Sequence, residues 1–191
     1  MHHGKIRIGI MGLGQIGRHL YHLALESDDC EIVAVADIGK PEILQYLLKS
    51  DGVEEPTSEL RDNYLINEQF RTRMLQLARP GEVPWDVLNV DCVVDATGRY
   101  RRRQDMEAHL RAGAGRVILA SLPAEPIDRI VIPGINESSA AVADKMISAG
   151  SATTNAFALL LSSLDRALGV DCASMTTVHA YSSDQSLQDY A

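Results

Sequence analysis

The chain has 191 residues, of which 46% are hydrophobic and 23% are charged, and its formal net charge at pH 7 is −8. This composition is typical of a globular protein and excludes a disordered or fibrous chain. The acidic balance argues against a nucleic-acid partner, because contacts to phosphates need clustered Lys and Arg. We interpret the basic run RYRRRQ, residues 99–104, as a solvated helix start, with a contact to a bound phosphate as the alternative.

The predicted elements alternate between strands and helices, which predicts an α/β fold with a doubly wound, mostly parallel sheet and helices on both faces. In chain order they are a strand at 5–11, a helix at 16–27, a strand at 31–37, a helix at 41–50, a hairpin of strands at 63–67 and 70–77, a strand at 91–98, a helix at 103–113, strands at 115–121 and 128–136, a helix capped by Asn136 at 137–144, a strand at 145–150 and a helix at 153–168. We place the domain boundary at the turn around Gly150.

Apolar spacing and residue type predict which side chains are buried. In the first helix the predicted buried side contains Ile16, Leu20, Leu23 and Leu25. The helical histidines His19, His22 and His109 are interpreted as partly exposed surface residues.

The three cysteines are scattered and form neither a disulfide framework nor a metal-binding CxxC pair. We interpret Cys30 and Cys92 as packing residues at strand starts, and Cys172 as a buried small hydrophobe. The first predicted strand follows the N-terminus closely, which leaves no room for a signal peptide, and no segment is as long as a transmembrane helix. We therefore expect a cytoplasmic protein without a membrane partner and without a metal site.

The sequence GLGQIG, residues 12–17, fits the GxGxxG pattern of a phosphate-cradling turn. It lies between a predicted strand and a predicted helix, which is the context that makes the motif informative. Gly12 permits the tight turn, Gly14 lets the backbone approach a pyrophosphate, and Gly17 allows close helix–strand packing. The context favours a Rossmann-type dinucleotide site over a glycine turn without a ligand.

Asp37 ends the second predicted strand, about 20 residues beyond Gly17. This is the spacing expected for a carboxylate that hydrogen-bonds the ribose 2′-hydroxyl group. Because a carboxylate repels a 2′-phosphate, NAD is predicted as the cofactor rather than NADP. Lys40 keeps NADP open as an alternative, although a solvated loop lysine is the simpler interpretation.

The stretch SAGSATTNAF, residues 148–157, leads into a long apolar-periodic segment. A Ser/Thr-rich approach to a helix start leaves backbone N–H groups in the positive field of the helix, which suits an anion or a developing oxyanion. Ala152 places a methyl group at the position where such a site would carry its nucleophile.

The order of these motifs resembles that of the glyceraldehyde-3-phosphate dehydrogenase family. The matching segments are KIRIGIMGLGQIGR, AVAD, YLLKSDGV, VPWDVLNVDCVVDATGRY, HLRAGAGRVILASLP, GIN, SATTN and MTTVHAYSSDQ. The resemblance implies phosphorylating, NAD-dependent oxidation of a phosphorylated aldehyde, in which a cysteine attacks, a histidine assists and inorganic phosphate releases the acyl group. It further implies an NAD-binding domain at 1–150, the start of an α+β catalytic domain at 151–191, most of which is absent, and a homo-oligomer, specifically a tetramer.

The resemblance also assigns individual residues. The implied cofactor contacts are Gly12, Gly14, Gln15, Ile16, Gly17, Asp37, Thr97, Gly98 and Ser121. The implied contacts to substrate or inorganic phosphate are Ser151, Thr153 and Ser182, the last replacing the family's usual threonine. His179 falls on the catalytic histidine, although a strand histidine satisfied by backbone groups is the alternative, and its predicted strand also carries Cys172. Ala152 falls on the nucleophilic cysteine.

Three substitutions depart from the family pattern, namely Ala152, Gln15 in place of arginine and Ala36 in place of asparagine. Ala152 is either engineered or a natural divergence, and the accompanying departures favour divergence. The hypotheses that stay open are an enzyme acting on glyceraldehyde 3-phosphate or erythrose 4-phosphate, a non-enzymatic NAD-binding regulator or scaffold, and, less favoured, a semialdehyde dehydrogenase. With Ala152 in place of the thiol, we expect the chain as given to be inactive.

Overall fold

A computed structural model describes residues 4–50 and 58–179 of the chain. Its strands are β1 Ile6–Met11, β2 Cys30–Asp37, β3 Glu59–Arg61, β4 Tyr64–Ile66, β5 Arg71–Gln76, β6 Cys92–Asp95, β7 Arg116–Leu119, β8 Arg129–Ile130 and β9 Met146–Ser148. Its α-helices are α1 Gln15–Leu25, α2 Pro41–Ser50, α3 Arg103–Arg111 and α4 Ala152–Leu168.

The strands form one nine-stranded sheet in the order β3-β4-β5-β2-β1-β6-β7-β9-β8. Strand β1 pairs in parallel with β2 on one side and with β6 on the other, so the chain first builds the sheet outward in one direction and then in the opposite one. The antiparallel pairs are β3–β4 and β4–β5, and the second of these is the predicted hairpin. The predicted Rossmann-type, doubly wound, mostly parallel sheet is confirmed.

Two buried clusters cover the two faces of the sheet. One contains Trp85 together with Met106 of α3, and the other contains Tyr21 of α1 together with Leu44 of α2. Side chains that alternate along β1 join different clusters, because successive residues of a strand point to opposite faces. Helices therefore cover both faces, as predicted.

The buried side of α1 differs from the prediction. Its buried residues are Gly17, Tyr21 and Ala24. Of the predicted side, Leu20 and Leu25 are partly buried, whereas Ile16 and Leu23 are exposed. Gly17 decides the orientation of the helix, because a Cβ atom at this position would lie 2.0 Å from the carbonyl oxygen of Gly12. The backbone of α1 thus packs on the glycine turn, and the small residue rather than the leucines marks the buried side.

The segment between β7 and β9 has less regular structure than predicted. The strand predicted at 128–136 is reduced to Arg129–Ile130, and the helix predicted at 137–144 is a single 3₁₀ turn, Glu137–Ser139. The Asn136 side chain does not cap that turn, since its Oδ1 accepts a hydrogen bond from the backbone N–H of Ile132 at 2.7 Å.

The prediction of a strand that carries Cys172 and His179 is wrong, because residues 170–179 form no strand in the described structure. Cys172, predicted to be buried, is exposed. A strand needs a neighbour to pair its backbone groups, and no described strand pairs with this segment.

Candidate functional site

A cleft opens at the carboxyl ends of β1 and β6, where the direction of sheet building reverses. In doubly wound sheets this is the place where ligands bind. Its lining includes Gly12, Gly14, Asp37 and Thr97. A second cleft shares Gly14 and Thr97 with the first and continues past them to Gln15, Ile16, Gly98 and Ser121. The structure therefore brings the predicted cofactor residues to one continuous crevice, with Gly17 buried beneath it.

The glycine turn has the geometry that a pyrophosphate needs. Gly12 has a φ angle of 90°, and a Cβ atom there would lie 2.9 Å from Thr97 Cα. A Cβ atom at Gly14 would meet no atom within 4 Å, so the backbone there borders open space. Gly14 is also the N-cap of α1 and offers no side-chain hydrogen bond, which leaves the helix N–H groups available to an anion.

Asp37 both lines the crevice and holds the glycine turn. Its Oδ2 accepts a hydrogen bond from the backbone N–H of Leu13, and its Oδ1 accepts one from the backbone N–H of Gly39, each at 2.7 Å. A carboxylate oxygen has capacity for a further hydrogen bond, and the side chain is only partly buried. Asp37 can therefore accept from a ribose hydroxyl group, whereas Lys40 is exposed, in agreement with its interpretation as a solvated loop lysine.

Ser121 provides a polar group with no partner at the edge of the crevice. Its Oγ is buried and has no hydrogen-bond partner in the described structure, while its carbonyl oxygen accepts from the Ser148 hydroxyl at 2.7 Å. Buried hydroxyl groups are normally satisfied, so this one suits a polar group of a ligand. The uncapped helix start, the Asp37 carboxylate and this hydroxyl together fit a dinucleotide.

The turn that follows β6 is fixed by Asp95. The backbone N–H and the hydroxyl group of Thr97 both donate to Asp95 Oδ1, at 2.9 and 2.6 Å. Thr97 Oγ1 in turn accepts from the backbone N–H of Arg99 at 3.1 Å. Gly98, at the bend, has a φ angle of 69°. Thr97 thus faces the glycine turn in one defined conformation.

His109 was predicted at the surface, and this prediction is wrong. The residue is fully buried on α3 and makes hydrogen bonds to Trp85 and Asp95. These partners come from separate elements, so the local pattern of α3 did not reveal them. His19 is exposed and His22 is partly buried, which is closer to the prediction.

The second predicted site lies at the start of α4. Ser151 is its N-cap, and the Ser151 Oγ accepts a hydrogen bond from the backbone N–H of Thr154 at 3.0 Å. The Asn155 side chain donates to the carbonyl oxygens of Ala149 and Ser151, at 2.8 and 2.9 Å. Ala152 is the first residue of the helix and is exposed, with Thr153 partly buried beside it. The structure confirms the helix start, and its tip carries a methyl group.

His179 is exposed, and its described hydrogen bond joins Nε2 to Thr177 Oγ1 at 3.0 Å. Within the described residues the structure does not bring His179 into hydrogen-bond contact with Ala152 or Ser151. Ser182 lies outside the described residues. The assignment of these residues to a catalytic site stays a prediction.

None of the described cysteines is at the start of α4, where the family pattern places the nucleophile. Burial raises the pKa of the Cys92 thiol to about 11, so this thiol stays protonated at neutral pH. Cys30 is partly buried at the start of β2, and Cys172 is exposed beyond the end of α4. The described residues also contain no group of three or more His, Cys, Asp or Glu side chains placed to hold a metal ion.

Sequence reasoning missed part of the crevice wall. Tyr100 and Arg99 line the first cleft, and the Tyr100 hydroxyl group donates to the carbonyl oxygen of Ala78 at 2.5 Å. From the sequence, the basic run that contains them is interpreted as a solvated helix start, with a contact to a bound phosphate as the alternative, and neither residue is assigned as a cofactor contact.

Among the helices of residues 4–50 and 58–179, none combines the length and apolarity required to span a bilayer.

Comparisons with known proteins agree with this geometry. Residues 6–103 match the family model described as the glyceraldehyde 3-phosphate dehydrogenase NAD binding domain, and residues 151–191 match the model for the C-terminal domain of the same family.

Curated relatives match along nearly the whole chain. Glyceraldehyde-3-phosphate dehydrogenases of Mycoplasma pneumoniae and Thermotoga maritima are each 36% identical, over 187 and 188 residues. That of Haloarcula vallismortis is 34% identical over 190 residues. Each alignment covers 96% of this chain but 56% of the relative, so the chain spans about half the length of these proteins. The chain belongs to the glyceraldehyde-3-phosphate dehydrogenase family, and NAD is the cofactor of its first domain.

Proposed function

We propose that residues 1–150 form an NAD-binding domain whose site is the crevice between β1 and β6, and that residues 151–191 begin a catalytic domain. The observation that carries this proposal is the uncapped start of α1 at Gly14, which faces open space beside the Asp37 carboxylate. An anion and a vicinal diol fit these two features together, and a dinucleotide offers both.

Different residues of the crevice bind different parts of the cofactor. Backbone N–H groups at Gln15 and Ile16 start α1 and hold the pyrophosphate, with Gly12 and Gly17 shaping the turn. Asp37 accepts from the ribose hydroxyl groups and disfavours a 2′-phosphate. The cleft that contains Thr97, Gly98 and Ser121 receives the half of the cofactor that accepts a hydride.

The second part of the proposal is that this chain does not oxidise an aldehyde through a covalent intermediate on a cysteine thiol. The relatives are named glyceraldehyde-3-phosphate dehydrogenases. The resemblance to this family implies the oxidation of a phosphorylated aldehyde with inorganic phosphate. A cysteine at position 152 would lie at the start of α4, where the helix field lowers a thiol pKa, and it would need a base such as His179. The methyl group of Ala152 forms no bond to an aldehyde, and the Ser151 oxygen already caps the helix.

A second candidate function is a non-catalytic NAD-binding protein that regulates or scaffolds a partner. The intact helix cap around Ala152 favours it, because the fold retains the local structure of the site while the reactive atom is missing. If the protein is instead an enzyme in a form that has a cysteine at position 152, glyceraldehyde 3-phosphate and erythrose 4-phosphate are the substrates that we propose. In either case we propose a cytoplasmic homo-oligomer, specifically a tetramer.

The two candidates are separated by restoring the thiol. We would join this chain to the remainder of the catalytic domain of the Geobacillus stearothermophilus relative. NADH formation would then be measured by absorbance for the Ala152 chimera and for Ala152→Cys. We expect the Ala152 chimera to be inactive with glyceraldehyde 3-phosphate, NAD and phosphate, and Ala152→Cys to gain phosphate-dependent activity.

His179→Ala added to Ala152→Cys is the matched control, and it should remove the gained activity. Turnover by the Ala152 chimera would contradict the proposal that the methyl group blocks the reaction. An inactive Ala152→Cys chimera that still binds NAD would favour the non-catalytic function and point to further divergence at Gln15, Ala36 or Ala149.

A further inference from the structure

A chain of buried polar side chains runs from the interior of the first domain to the crevice. Trp85, His109 and Asp95 are each at most 1% exposed. Trp85 Nε1 lies 3.0 Å from His109 Nδ1, and His109 Nε2 lies 3.3 Å from Asp95 Oδ2. These three residues, which we call the interior relay, come from the segment after β5, from α3 and from the end of β6.

The direction of each hydrogen bond in the interior relay follows from the chemistry of the groups. The indole of Trp85 can only donate, so His109 Nδ1 must accept. In a neutral imidazole the other nitrogen then carries the proton, and His109 Nε2–H donates to Asp95 Oδ2. Trp85 thus selects the tautomer of His109 that presents a donor to Asp95.

The interior relay ends at the crevice. Because His109 occupies Oδ2, Asp95 offers Oδ1 to Thr97, which donates to it through both its backbone N–H and its hydroxyl group. Thr97 lies so close to the glycine turn that a Cβ atom at Gly12 would be 2.9 Å from its Cα and Cγ2 atoms. A rotation of the Asp95 carboxylate would therefore move the Thr97 turn against Gly12.

We propose that His109 is a positioning residue for the cofactor site: by holding Asp95 Oδ2, it orients the Thr97 turn for NAD. This inference rests on the proposed NAD site, and it assigns to the α3 histidine a function beyond packing. Stability alone does not require a buried polar chain, since an apolar core of the same shape is about as stable. Here the polar chain leads to Thr97, which borders both clefts.

The molecule contains a matched control on the opposite face of the sheet. The Tyr21 hydroxyl group and Ser58 Oγ form a buried hydrogen bond of 2.9 Å in the other core cluster, away from the Thr97 turn. Tyr21→Phe removes this bond and keeps the ring, just as His109→Phe removes the relay bonds and keeps a ring. His109→Gln is the conservative variant, because its amide nitrogen can still donate to Asp95.

The test measures NAD affinity by calorimetry for the unmodified chain and the three variants, with urea unfolding as the measure of stability. We expect His109→Phe to bind NAD about tenfold more weakly than Tyr21→Phe does, because Asp95 loses a donor and the Thr97 turn is released. His109→Gln should recover most of that affinity. Equal NAD affinity of His109→Phe and Tyr21→Phe would overturn the inference.

A second readout needs no substitution and covers the case in which His109→Phe does not fold. Trp85 is the single tryptophan, so its indole N–H gives one unambiguous NMR signal. We expect NAD to shift this signal in the unmodified chain, because the relay connects Trp85 to the crevice. An unmoved signal at saturating NAD would overturn the inference while leaving the NAD site intact. A chain that binds no NAD would instead overturn the proposed function, and the inference with it.

Discussion

The start of α1 in the crevice and the start of α4 are both helix N-termini of a kind that suits an anion, yet the two regions are held in place by different contacts. The crevice is fixed by contacts between distant parts of the chain, such as Asp37 to Leu13 and Thr97 packing on Gly12. The α4 start is fixed by local contacts, in which Ser151 and Asn155 satisfy their near neighbours. Of residues 151–179 none is buried, whereas the lining of the crevice includes the buried residues Met11 and Ala36.

This difference indicates what each region needs in order to function. The crevice obtains its shape from the folded sheet, so its ligand meets groups that are already in place. The α4 region exposes several large apolar side chains in the described structure, including Leu160 and Leu168. Substitutions in the crevice should therefore change stability and binding together, whereas substitutions on α4 should change association.

The largest effect is expected for Gly17→Ala. Its new Cβ atom would lie 2.0 Å from the carbonyl oxygen of Gly12, and backbone on both sides cannot move away cheaply. We expect a loss of about 3 kcal/mol in the free energy of unfolding, measured in urea, and loss of NAD binding, measured by calorimetry.

Gly81→Ala is the control for this substitution, because its Cβ atom would meet its nearest neighbour at 3.8 Å. It should leave both quantities nearly unchanged. A Gly17→Ala chain as stable as Gly81→Ala would show that α1 does not pack on the glycine turn as described.

A smaller effect is expected for Asp37→Ala. This substitution removes the acceptor of the ribose hydroxyl groups, so NAD affinity should fall by about tenfold or more. NADP binding should fall less, because the charge that repels a 2′-phosphate is also removed. The free energy of unfolding should fall by about 1–3 kcal/mol, since the N–H groups of Leu13 and Gly39 lose their partner. Asp29→Ala, at an exposed position, should change neither affinity, and an unaltered NAD-to-NADP ratio in Asp37→Ala would contradict the assigned role.

The smallest effect on stability is expected on α4. Leu160 is 59% exposed, so Leu160→Glu should change the free energy of unfolding by no more than about 0.5 kcal/mol. It should nevertheless reduce self-association measured by light scattering, because a charge replaces exposed apolar surface. Ala167→Glu adds the same charge on the same helix and removes little apolar area. Equal association of the two variants, or a purely monomeric unmodified chain at high concentration, would refute this part of the comparison.

The features predicted well from the sequence are those with a local cause. The GxGxxG turn, Asp37 at the end of β2 and the start of α4 each follow from short-range backbone requirements, and each lies where the pattern placed it, to within one residue for α4. The alternation of strands and helices likewise predicted the doubly wound sheet.

The features predicted poorly depend on partners that are distant in sequence. His109 is buried because Trp85 and Asp95, on other elements, satisfy both ring nitrogens. The buried side of α1 is set by the contact of Gly17 with Gly12, which a count of leucines does not reveal. Cys172 was expected in a strand, and the neighbour that such a strand requires is not among the described residues.

The most direct test of the account is calorimetric titration of the unmodified chain with NAD and with NADP under the same conditions. The uncapped α1 start and the Asp37 carboxylate predict one NAD site per chain and clearly weaker binding of NADP. NADP binding as tightly as NAD, or no binding of either nucleotide by the folded chain, would contradict the assignment of the crevice between β1 and β6.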